Sequence, residues 1–143
     1  MELSPSQINS LMGILNVLVR ISDKEFIKNY WSRDQKSQLS CDSIIFNCRE
    51  AILTLEDHHL FELLDDDYGF WTEEYSLFLG MDLLSMFKKL ASMVYVFTKA
   101  DKLDNHGNML LHDRNWIEIM TLSHQISVLL QVRLNVNEED YLM

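Results

Sequence analysis

TEEYSLFLGMDLLSMFKKLASMVYVFTK, residues 72–99, decides the fold class. Its apolar residues recur at three and four rather than two, and its polar members Asp82, Ser85, Lys89 and Ser92 fall on one narrow stripe. That periodicity is helical. Thr72 ahead of Glu73 and Glu74 reads as a cap and an acidic first turn, where carboxylates meet the positive end of the helix dipole. So little of the circumference is polar that neighbouring helices, or another subunit, are expected to cover the rest.

The same spacing continues on both sides. Ser4-Pro5-Ser6-Gln7 supplies an N-cap, a proline at the first helical position and a capping-box glutamine. A first helix is therefore expected to about Ile21, with Ile8, Leu11, Met12, Leu15, Leu18 and Val19 inward. Ser22-Asp23-Lys24-Glu25 reads as a second capping box, opening a helix with Phe26, Ile27, Tyr30 and Trp31. The stripe Cys41, Ile44, Ile45, Cys48, Ile52, Leu55 predicts a third, continuing or kinking through His58 and His59 to Leu64. Residues 101–108, with Asn105-His106-Gly107-Asn108, read as a loop, and a last helix begins near Asp113. Its β-branched end, 126–136, is the one place where a strand competes. The expectation is an all-α, single-domain bundle of about five helices over residues 1–143, with 135–143 an acidic tail.

Composition bounds the rest. The chain has 143 residues, 48% of them hydrophobic, enough for one core of ordinary size. Met-Glu-Leu-Ser-Pro lacks the basic and apolar regions of a secretory signal, and no stretch approaches the roughly 18 apolar residues of a membrane span. A cytoplasmic location with no membrane association is expected. Cys41 and Cys48, seven residues apart on one expected helix, would stand about 10 Å apart, beyond disulfide reach. They read as reduced core residues.

Charge is the most uneven property. Between Glu50 and Phe87 lie ten carboxylates and no lysine or arginine, while the other twelve acids are matched by all twelve bases, so the net charge of −10 arises in this window. Ordinary solvated helices mix signs and gain from pairs four residues apart; a one-signed window repels itself. A basic partner that later neutralises it would explain the cost. A pI near 4.8 disfavours direct nucleic-acid or anionic-lipid binding. The expected contact set is Glu56, Asp57, Glu62, Asp65, Asp66, Asp67, Tyr68, Phe70, Trp71, Glu73 and Glu74: acids to steer, rings to anchor. Against this, Phe70 or Trp71, each taken singly, is better explained as a hydrophobic staple that plugs the bundle end before the Thr72 cap.

This pattern resembles in type the small acidic helical proteins, immunity proteins and antitoxins among them, that neutralise basic nuclease toxins. It lacks the Tyr-Tyr pair of the colicin-nuclease immunity proteins. The resemblance implies an inhibitor that covers a toxin's active site or nucleic-acid-binding surface, with no cofactor, no metal and no catalytic residues. Two other classes compete with it. Glu56-Asp57-His58-His59 contains Glu-x-x-His, half of a di-iron carboxylate site, and His112-Asp113 resembles the doublet of helical metal-dependent phosphohydrolases. A hydrolase would use Glu56, His59, Glu62, His112 and Asp113, although Asp113 as a helix cap explains the doublet more simply. An oligomeric structural or adaptor subunit is the third reading, resting on the broad apolar helix. The eight methionines, Met81, Met86, Met93 and Met120 among them, read as core filler.

Overall fold

The computed structural model describes residues 3–31, 47–64, 71, 73–100 and 107–136, and all regular structure among them is helical. α1 spans Pro5–Ile21. The Ser4 hydroxyl accepts from the Gln7 N–H at 3.2 Å while the Ser4 N–H donates to Gln7 Oε1 at 2.7 Å, the expected reciprocal capping box. Leu11, Ile14, Leu15, Leu18 and Ile21 are buried; Ile8, in the first turn, is not, at 38% exposed.

α2, Lys24–Tyr30, is capped by Asp23 and not by Ser22. Ser22 keeps right-handed helical geometry as the C-cap of α1, its hydroxyl donating to the Val19 carbonyl at 3.0 Å, whereas Asp23 is extended and its carboxylate accepts from the N–H groups of Glu25 and Phe26. α3 is shorter than expected, Cys48–Asp57, because Asn47 stands extended and caps it by accepting from the Glu50 N–H at 2.8 Å. Buried Cys48 is thus the first residue of its helix, and the one-helix spacing to Cys41 does not apply. Cys41, Ile44 and Ile45 lie outside the described residues.

After α3 the chain turns at His58 and His59 into a 3-10 helix, η1, Leu60–Leu64. The kinked version of the expected continuation is the one observed. α4 covers Glu73–Lys99 but is broken at Gly80, whose φ of 79° and ψ of 160° belong almost solely to glycine. Near the break the Phe78 carbonyl accepts from Arg133 Nη1 at 2.8 Å. A single turn, α5, Gly107–Leu110, precedes α6, Arg114–Leu134. The β-branched end of α6 is helical and not a strand, closed by Asn135 in the left-handed conformation with Val136 N–H bonded to the Gln131 carbonyl at 3.1 Å.

These elements close a ring: α3 packs on α1, α1 on α6, α6 on α4, α4 on η1, and η1 on α3, while α2 joins α1 to α5. Tyr75, Phe87, Phe97 and Trp116 fill the middle beside the α1 leucines. Cover of α4 is less complete than its sequence suggests. Asp82, Ser85, Lys89 and Ser92 are exposed as expected, but so are Leu77, Met81 and Val96, with Met81 74% exposed and no core filler. α6 and η1, on which α4 chiefly packs, leave these positions of the kinked helix uncovered.

Candidate binding cleft on the acidic face

The turn between α3 and η1 builds the site. His59 has a positive φ of 70°, unusual for a side chain with a Cβ, and it is held there from several directions. Its N–H donates to the Glu56 carbonyl at 2.9 Å, and its own carbonyl accepts from the Glu62 N–H at 3.2 Å. Trp71 Nε1 donates to that same carbonyl at 2.6 Å. Ring nitrogen Nδ1 meets the Glu62 carboxylate, fixing the imidazole at the mouth of an open cleft.

That cleft encloses about 550 Å³ and is lined by Glu56, His59, Phe61, Glu62, Leu64 and Tyr95. Phe61 from η1 and Tyr95 from α4 form an edge-to-face pair, centroids 6.3 Å apart and planes at 67°, a geometry that suits the aromatic quadrupole. Lys99, one turn further along α4, holds its ammonium 5.1 Å above the Tyr95 ring.

The predicted contact residues divide. Glu56, Asp57 and Glu73 are exposed, and Glu62 and Glu74 half-buried, on three elements that pack on one another through η1. Asp65, Asp66, Asp67, Tyr68 and Phe70 lie outside the described residues. Trp71 is 4% exposed, its ring centroid 4.7 Å from Tyr75 and 5.8 Å from Phe87. It plugs the core and does not stand out as a contact. The cleft residues that sequence reasoning missed are Tyr95, Leu64 and, as a wall, Phe61; only the place of Tyr95 between Ser92 and Lys99, on the edge of the polar stripe, hinted at exposure.

The hydrolase residues are not assembled into a ligand sphere. Asp113 caps α6, accepting from the N–H groups of Asn115 at 2.9 Å and Trp116 at 3.2 Å. Among the described residues no three His, Cys, Asp or Glu side chains gather as a metal-binding group.

His58, next to the cleft, faces the other way. A Cβ on Gly13 of α1 would fall inside its ring, so the imidazole sits where only glycine leaves room. Burial lowers its pKa from the ordinary 6.5; Asp57 opposes and His59 reinforces the shift. The folded chain therefore refuses a proton that the unfolded chain accepts. His58's share of stability is complete above pH 6.5 and is lost as pH falls through the folded value. Urea unfolding at pH 7.5 and 5.5 should show a larger loss for the parent than for His58→Gln. Equal losses would mean the ring is solvated.

Searched against protein-family models, curated proteins and solved structures, the chain matches none of them.

Proposed function

We propose that this chain is an acidic inhibitor that binds a basic protein, of the immunity-protein or antitoxin kind, and neutralises a nuclease-type toxin by covering its active site or nucleic-acid-binding surface. The observation that carries the reading is a one-signed, outward-facing set of carboxylates. Glu56, Glu73 and Asp82 are exposed, and their carboxylates make no hydrogen bond or ion pair among the described residues. Where the sequence does mix signs, as on α6, the helix pairs them, Arg114 with Glu118 at 3.8 Å. Leaving like charges uncompensated destabilises the free protein and favours whatever cation later covers them. The aromatic-walled cleft adds what charge alone lacks, a concave surface that can fix register.

Electrostatic steering raises association rates by roughly ten- to a thousand-fold and weakens steeply with salt. The test is capture from the native source followed by kinetics with the purified partner. The reading expects a basic partner, association that slows strongly between low and high salt, and a triple reversal, Asp57→Lys with Glu73→Lys and Asp82→Lys, that removes most of both rate and salt dependence. A neutral or acidic partner, or association indifferent to salt and to the reversals, overturns it.

A further inference from the structure

The cleft is selective in its lining: among the described residues two carboxylates, one imidazole, two rings and a leucine face it, and no lysine or arginine. The Glu56 carboxylate makes no hydrogen bond or ion pair among the described residues. Glu62 is shared with His59, yet both side chains remain open to solvent, at 38% and 40% exposure. Tyr95 already draws a cation, the Lys99 ammonium, over its ring. A site with carboxylates at its mouth and aromatic faces for walls complements a positive group that is planar and carried on an apolar stem. Guanidinium meets that description: it is weakly hydrated, stacks on rings and donates to carboxylates in a fork. An ammonium is compact and strongly hydrated, and gains less from the walls.

We propose that this cleft receives an arginine side chain of the basic partner, its guanidinium on Glu56 and Glu62 and its face and stem against Tyr95 and Phe61. The assignment rests on the acidic-docking reading above and adds the group that would fix the register of docking.

The full chain is titrated with N-acetyl-arginine amide, N-acetyl-lysine amide and the uncharged N-acetyl-citrulline amide, followed by side-chain and amide NMR shifts. Arginine amide should give saturable shifts confined to residues 56–64 and Tyr95, lysine amide weaker ones and citrulline amide none. Glu56→Gln removes a charge that supports no other contact among the described residues, and should weaken arginine binding about tenfold, as losing one charge-assisted hydrogen bond does. Absence of saturable shifts, an equal response to lysine or citrulline amide, or shifts mapping elsewhere overturns the assignment. If arginine amide fails while partner association stays sensitive to salt and to the Asp57, Glu73 and Asp82 reversals, the cleft assignment falls and acidic docking stands. If arginine amide binds but those reversals change nothing, the docking reading fails, and with it the partner's arginine as occupant, while the cleft's selectivity for a guanidinium group stands.

Discussion

Trp71→Ala should cost about 3–5 kcal/mol of folding stability, the range for removing a large aromatic from a packed core. Its indole is 4% exposed and packs on Tyr75 and Phe87, so truncation leaves a void at the junction of η1 and α4. The loss reaches the cleft as well. Trp71 Nε1 holds the His59 carbonyl at 2.6 Å, and without that bond the left-handed turn that presents the imidazole loses its tie to a residue 12 positions on. Trp71→Phe separates the two contributions: most of the ring packing stays, the donor goes, and the expected cost is about 1–2 kcal/mol, typical of a partly buried hydrogen bond. Urea denaturation of both variants measures the difference. A cost below about 1 kcal/mol for the alanine variant would place the indole at the surface and restore it as a binding anchor.

How far the sequence could be read depended on the range of the interaction concerned. The capping box at Ser4 and Gln7, the Asp113 cap and the span of α4 are local, decided within one helical turn of chain, and each was legible. Ser22 and Asp23 show the limit even there, since both residues are competent caps and it is the end of α1, which keeps Ser22 helical and leaves Asp23 extended, that selects the second. The break at Gly80 was not legible, because a lone glycine in an apolar helix is usually tolerated at a cost near 1 kcal/mol. Here the Phe78 carbonyl beside the break is satisfied by Arg133, 55 residues away. His59 is similar: an isolated Glu-Asp-His-His string gives no reason for a positive φ, and the bond that holds it comes from Trp71, 12 residues on. The acidic half of the cleft could therefore be named from sequence, whereas its aromatic half required knowing that η1 packs against α4.

Gly107→Ala tests long-range packing most sharply, because local and tertiary physics predict opposite signs. Within a helical turn, replacing glycine by alanine ordinarily gains up to about 1 kcal/mol. Gly107, however, donates its N–H to the Trp31 carbonyl at 2.5 Å, and a Cβ there would lie 2.6 Å from the Ile27 carbonyl oxygen and 3.2 Å from that of Trp31. Both obstacles are backbone atoms at the end of α2, and the Ile27 oxygen is itself engaged by the Trp31 N–H at 2.9 Å, so no rotamer change relieves the overlap. The alternatives are to shift α5 or to unwind the end of α2. Either moves Trp31, which is 1% exposed and packs on Trp116 with centroids 5.7 Å apart. A net loss of about 1–3 kcal/mol is expected, the usual cost of overfilling a packed site. The accompanying signature is altered tryptophan fluorescence in the native baseline, as Trp31 and Trp116 separate. Chemical denaturation that shows Gly107→Ala to be as stable as the parent, with that baseline unchanged, would mean α5 does not dock on α2 through this glycine.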